Sequence, residues 1–301
     1  MKILYDCDNT MGVPNRDVDD ALALLYLLGR DDVELLGITA THGNDTVDTV
    51  FKATAGLLGD IGREDVPLLR GGAKDNRVSE ASRFLAAQAA LHRGEVTMLA
   101  TGALTNLCGA WESDRSFFSN LNRVVLMGGI TGPLVINNVQ CNELNFSCDP
   151  EASHKVLGSG ADVTVITGHL CLAVPFAGPE FSILEGKGGP PVFHYLFERL
   201  GPWRELMRKV FKIDGFYNWD VVAAVCATDP EIFEDRTVLV DSGPGELATG
   251  LLRVASNDGY RVNVPERIVK PGAIANLLFD SLKRVSLIPS LLPPGHDQER
   301  V

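Results

Sequence analysis

Five carboxylates, Asp6, Asp8, Asp17, Asp19 and Asp20, fall within the stretch DCDNTMGVPNRDVDD near the start of the chain. A short apolar run precedes them and a helix-spaced apolar run follows, so they crowd the junction between a strand and a helix. In open parallel sheets, ligands bind beyond the carboxyl ends of the strands, and Asp6 and Asp8 are placed to face that crevice. Asp19 and Asp20 open the helix, where the dipole favours negative charge, and capping alone would account for an isolated pair. Four or five converging carboxylates are harder to account for. At an effective dielectric of about 20, each like-charge contact at 4 Å costs about 4 kcal/mol before screening. A hard divalent cation such as Ca²⁺ or Mg²⁺ removes that cost and takes oxygen ligands.

The elements that must hold these residues can be read from the hydrophobic period. Strands are expected at Ile3–Tyr5, Val33–Ala40, Val66–Leu69, Val96–Ala100, Arg123–Met127 and Val163–Thr167. Helical patterns lie between them at Val18–Leu28, Val47–Leu58, Ala81–His92, Leu104–Trp111 and Pro150–Leu157. That alternation, with strands apolar on both faces, gives an α/β fold: an open, mainly parallel sheet with helices on both faces. Later come helices at Val192–Val210, Asp220–Thr228 and Ala273–Val285, with a small β hairpin near the C-terminus over Thr237–Val240, Leu251–Ala255 and Tyr260–Val264. Gly158-Ser159-Gly160 and Gly201-Pro202 read as helix ends, and the tail from Pro289, with Pro293-Pro294-Gly295, as loose. No linker or repeat divides residues 1–301, which are expected to form a single domain.

Bulk properties exclude several classes. A net charge of -12 argues against nucleic acid or an anionic membrane as partner. No apolar run reaches the roughly 18–20 residues of a membrane span. The six cysteines are scattered without CxxC spacing, which points to reduced thiols in a cytoplasmic protein. Cys141 and Cys148 read as incidental.

Two known patterns fit the acidic stretch. Asp6-Cys7-Asp8-Asn9-Thr10 matches the Asp-x-Asp-x-Thr motif of haloacid-dehalogenase-type phosphatases, for which Thr167 and Lys187 could supply the hydroxyl and the cation; the late acidic pair that such enzymes use for Mg²⁺ is missing. The other pattern is broader. Asp6-Cys7-Asp8 with Asp19-Asp20-Ala21 resembles the D-x-D-P-G-x-D-D signature of the inosine–uridine-type nucleoside hydrolases, the Pro-Gly turn being replaced by a longer loop, Asn9 to Val18. Thr39-Ala40-Thr41-His42-Gly43-Asn44, Thr101-Gly102-Ala103-Leu104-Thr105-Asn106, Val125–Gly129 with Glu143-Leu144-Asn145-Phe146 and Asp149-Pro150-Glu151-Ala152, and Asn218-Trp219-Asp220 follow in the family's order. Asp-x-Asp alone is weak, whereas five blocks in order over about 230 residues are specific.

The resemblance implies Ca²⁺-dependent hydrolysis of the N-glycosidic bond of ribonucleosides by a homodimer or homotetramer. It implies Asp8, Asp20 and Asp220 as metal ligands with the Thr101 carbonyl, Asp8 also as general base, and Asp19, Asn44, Asn137, Glu143 and Asn145 as the grip on the ribose hydroxyls. Asp6 would brace the loop. The residues admit plainer roles: Asn44 a turn residue, Thr105 or Asn106 a helix cap, Glu143 and Asn145 solvated, Asp149 an N-cap with Pro150 at N1, His42 and His169 structural.

Trp219 departs from the pattern. Many family members carry a His there as general acid, and losing a positioned acid forfeits about 10²–10⁴ in rate. The purine-specific branch has Trp at this position and stacks the base on it, which implies a purine-leaning enzyme with Trp219 in the substrate site. The second Trp of that branch has no counterpart in Gly71–Phe84, where Phe84 is the lone aromatic and fits the core equally well. A ribonucleoside-binding member with weak turnover is the alternative that the missing His leaves open, with the phosphatase as a second.

Overall fold

The computed structural model describes residues 1–292; the expectation for the tail from Pro293 lies outside the described residues. Lys2–Cys7 is a strand whose alternate residues enter opposite cores. Ile3, Tyr5 and Cys7 pack with one apolar cluster and Leu4 with the other, so helices must cover both faces. This strand pairs in parallel with Glu34–Ala40 on one side and Val96–Ala100 on the other.

The nine-stranded sheet runs, edge to edge, Leu68–Arg70, Glu34–Ala40, Lys2–Cys7, Val96–Ala100, Arg123–Met127, Val163–Ile166, Tyr260–Asn263, Thr237–Val240, Val254–Ala255. The pairings from Leu68–Arg70 to Tyr260–Asn263 are parallel, and the last two strands add antiparallel as the C-terminal hairpin. The chain winds outward from Lys2–Cys7 through two strands, then returns to continue on its other side at Val96–Ala100. That reversal opens a crevice past the carboxyl ends of these two strands.

Asp19–Leu28 is buried through Leu27 and packs against Trp219–Thr228 and Pro271–Leu282. A helix buried all round needs the unbroken apolar run that ALALLYLL supplies.

Three features depart from the sequence expectations. Gly201-Pro202 does not end a helix: Pro191–Val210 runs through it. Leu196 and Leu200 before the proline and Met207 after it are all buried in one core, and this shared apolar face outweighs the N–H that Pro202 lacks. The chain at Pro289 is not loose, since Pro289–Leu291 forms a 3₁₀ turn and Ile288 N–H bonds the Asp60 carbonyl at 3.0 Å. Finally, Leu134–Ile136 and Val139–Cys141 form an unforeseen antiparallel hairpin. Asn137 and Asn138, at φ of 46° and 64°, make its two-residue turn.

Candidate active site

The end of the first strand builds the floor of the crevice. Asp6 is fully buried; its Oδ1 accepts hydrogen bonds from Asn106 Nδ2 at 2.8 Å and from the Thr39 hydroxyl. Its carbonyl accepts the Thr101 N–H at 2.9 Å, tying the two strand ends together. Burial pushes the Asp6 carboxyl up to about 7 in spite of the Asn106 and Thr39 bonds. Asn106 therefore braces Asp6 rather than capping its own helix.

Two residues on, Asp8 turns into the crevice. Its Oδ2 accepts the Asn44 N–H at 2.6 Å and its Oδ1 the Asn44 side-chain amide at 3.2 Å. Gly43 is required here because a Cβ would collide with the Asp8 carboxylate. Asp20 Oδ1 accepts from the Thr101 hydroxyl at 2.8 Å and from the Asp8 N–H at 3.3 Å. Asp19 Oδ2 accepts the Asp220 N–H at 2.9 Å, joining the N-terminal turns of two helices at one point.

Ligand oxygens of Asp19, Asp20 and Asp220 lie within 4.8 Å of one another, all buried. Asp8 stands beside them. Burial first, and then the charges of their neighbours, raise all four carboxyls above the ordinary range, so the bare cluster resists holding its full negative charge. None of the residues lining this pocket is Lys, Arg or His. An all-oxygen donor set with no local cation fits a hard divalent ion. The structure groups Asp19 with Asp20 and Asp220, whereas the sequence reading placed Asp19 on the sugar.

The remaining expected residues divide. Thr101 lines the pocket, and its carbonyl accepts from Asn145 Nδ2 at 3.0 Å. Asn145 is buried, lines the pocket and also donates to the Met127 carbonyl at 3.1 Å. Glu143 lines the pocket, but Phe146 N–H and Gly129 N–H occupy Oε1 at 2.8 and 3.2 Å, and Ser147 N–H occupies Oε2 at 2.9 Å. Its carboxylate caps the short Asn145–Cys148 helix. Asn137 is not in the pocket. It sits exposed at the hairpin tip, and its Nδ2 donates to the Phe211 carbonyl at 3.0 Å, because the two-residue turn turns it away from the crevice. Trp219 forms a wall, with its ring 5.3 Å from that of Tyr217. Phe84 packs against Gly37 beside the core.

Sequence reasoning missed the opposite wall. Ile130, Leu134, Cys141 and Leu144 line it, so Cys141 is not incidental. Those walls depend on the unforeseen hairpin, and no local pattern revealed it. Asp17, noted for its charge and given no role, also lines the pocket. Asp149 is the expected N-cap, accepting from Ala152 N–H at 3.1 Å, and is also held by both Arg77 nitrogens at 2.9 Å. His42 bonds Thr105 at 2.9 Å outside the pocket.

For a phosphatase the arrangement is wrong. Thr167 caps a separate short helix, Lys187 is exposed, and neither lines the pocket.

A family profile described as "Inosine-uridine preferring nucleoside hydrolase" matches residues 3–271. A probable uridine nucleosidase 2 of Arabidopsis thaliana is 28% identical over 263 residues, 77% of this chain and 79% of that protein. Among solved structures, a plant nucleoside hydrolase superposes with a TM-score of 0.82 at 24% identity, over 94% of this chain and 98% of its own. A purine-preferring ribonucleoside hydrolase from Gardnerella vaginalis gives 0.79 at 20% identity, over 94% and 98%.

Proposed function

This chain belongs to the inosine–uridine-preferring nucleoside hydrolase family and is an enzyme of N-glycosidic bonds, and we propose that it releases ribose from ribonucleosides with the help of Ca²⁺, favouring purine bases. The observation that carries the reading is the buried cluster of Asp8, Asp19, Asp20 and Asp220 at the reversal point of the sheet, facing Asn44 and Asn145 in a pocket without a cationic side chain. Asp8, Asp19, Asp20, Asp220 and the Thr101 carbonyl would hold the ion. When bound, such an ion binds a vicinal diol and makes water more acidic.

The chain's own groups supply the rest. Asp8, fixed by both Asn44 donors, takes a proton from the water that attacks the anomeric carbon. The bond from that carbon to the base nitrogen breaks, its electron pair leaves with the base, and positive charge develops on the sugar ring. The surrounding carboxylates stabilise that charge. Asn44 and Asn145 match the donors and acceptors of the sugar hydroxyls.

Trp219 offers the base one aromatic face. A purine presents more π surface to an indole than a pyrimidine does, and its N7 is a site that can take a proton as the bond to N9 breaks, which suits a site with no imidazole beside Asp220. Pyrimidine preference is the second reading, favoured by the name of the Arabidopsis relative. Ribose release from inosine, adenosine, guanosine, uridine and cytidine, with Ca²⁺ and with chelator, tests both. Chelator-sensitive release ranking purines first is expected. Faster release from uridine would overturn the base preference, and no release at all would overturn the reaction.

A further inference from the structure

The loop between Asp8 and Asp19 brings in a carboxylate that none of the roles above uses. It runs from Asn9 to Val18, where the family signature has only Pro-Gly-x. The loop is pinned along its course. Asn9 accepts the Met11 N–H at 3.0 Å and donates to the Thr54 hydroxyl at 3.3 Å. The Thr10 hydroxyl donates to the Asp17 carbonyl at 2.9 Å, and Arg16 pairs with Asp45 at 2.9 Å. Asp17 is therefore held in position. Its Oδ1 accepts the Val18 N–H at 2.7 Å, and its side chain shares the pocket wall with Asp19 and Cys141.

Two residues expected to grip the sugar leave room for it. Asn137 faces the end of another helix, and Glu143 already accepts three backbone N–H groups, which leaves it fewer acceptor sites for a sugar. A ribose carries three hydroxyl donors, and a carboxylate is an acceptor matched to them. We propose that Asp17 is a substrate-positioning residue that accepts a hydrogen bond from a sugar hydroxyl of the bound ribonucleoside. The proposal rests on the functional reading above. It assigns to the extended loop a part of the sugar grip that the hairpin has given up.

The test is a cycle between protein and substrate. Asp17→Asn and Asp17→Ala are compared with the wild type on the best ribonucleoside and on its 2′-, 3′- and 5′-deoxy analogues. Analogues that turn over too slowly are measured as competitive inhibitors. On the full ribonucleoside, kcat/KM is expected to fall about 10- to 100-fold, mostly through KM, the size of a lost hydrogen bond to a charged group. With one deoxy analogue, wild type and variant should agree within about twofold, because the partner hydroxyl is already gone. Arg16→Ala, which loosens the loop without touching the pocket, should lower all four substrates by a common factor. All rates are compared at saturating Ca²⁺, because Asp17 lies close enough to Asp19 and Asp20 for its charge to act on a bound cation.

An equal factor for Asp17→Asn across all four substrates would overturn the proposal. Wild-type turnover that the Asp17 variants leave unchanged would overturn this proposal alone. Failure of the wild type on every nucleoside would overturn the functional reading together with it.

Discussion

In the proposed reaction the side chain of Asp8 would do two jobs, holding the ion and taking the proton. Its Oδ1 and Oδ2 are oriented by the Asn44 amide and N–H, at 3.2 and 2.6 Å, so the carboxylate cannot rotate away from the crevice. Such orientation is what a general base needs, because proton transfer falls off steeply with misplacement. Asp8→Ala is expected to lower kcat by at least about 10²-fold, measured as ribose release at saturating nucleoside. Turnover near that of the wild type would remove Asp8 from the base role. Asn44 acts on the same group, and Gly43 makes room for it. Gly43 and Asn44 together are therefore a device for aiming Asp8.

Among the elements, the hairpin Leu134–Ile136 and Val139–Cys141 decides what the far wall is and where Asn137 goes. Both turn residues adopt left-handed backbone, which Asn tolerates and Ala does not. Asn137→Ala should therefore cost about 1–2 kcal/mol in urea denaturation, with KM for the ribonucleoside unchanged within about twofold. A large rise in KM at unchanged stability would return Asn137 to the sugar site. The helix Pro150–Leu157 gives a second test. Its N-cap, Asp149, is fully buried and held by Arg77 in a two-point ion pair. Burial pushes the Asp149 carboxyl up, but Arg77, the Ala152 N–H and the Thr105 hydroxyl outweigh it and leave it below the ordinary carboxylate range. A depressed acid stabilises the fold above its unfolded pKa of about 3.9, and that stability is lost as pH falls through the folded value. Arg77→Leu strands the buried carboxylate and should cost about 3–5 kcal/mol near neutral pH. The gap between variant and wild type should narrow as pH drops below about 4. A constant gap from pH 7 to pH 3 would show that the loss is one of packing.

Across the whole molecule, the sheet order explains why the acidic cluster exists at one place. Strands Lys2–Cys7 and Val96–Ala100 are neighbours that the chain reaches from opposite directions, and Asp8 and Thr101 emerge side by side from them. Asp220 arrives from more than two hundred residues away on a helix that packs against Asp19–Leu28. Holding these carboxylates together costs folding free energy that a divalent ion would offset. Ca²⁺ at about 100 times its dissociation constant should raise stability by about 2.7 kcal/mol, read as an upward shift of several degrees in the melting midpoint. Chelator should reverse the shift and Asp220→Asn should diminish it. An unchanged midpoint would argue against a bound ion. Among the described residues, no helix is long and apolar enough to cross a membrane.

Local patterns in the chain specify most of the elements and the family. Val96–Ala100, Arg123–Met127 and Pro150–Leu157 were legible to the residue, because strands buried on both faces and helices with clear caps carry strong local patterns. The acidic residues were legible because so many carboxylates at one strand end have few other uses. Tertiary structure alone decided the rest. Pro202 reads as a stop until the packing on either side of it is known, and only the fold shows that Glu143, in the pocket lining, also accepts three backbone N–H groups. The hairpin that carries Asn137 away is set by a turn whose left-handed backbone does not show in the amino-acid types. Whether Asp17 or Asn137 reaches the pocket depends on how loops cross space. Local periodicity encodes which face of an element is apolar, but it does not encode where a loop between two elements ends.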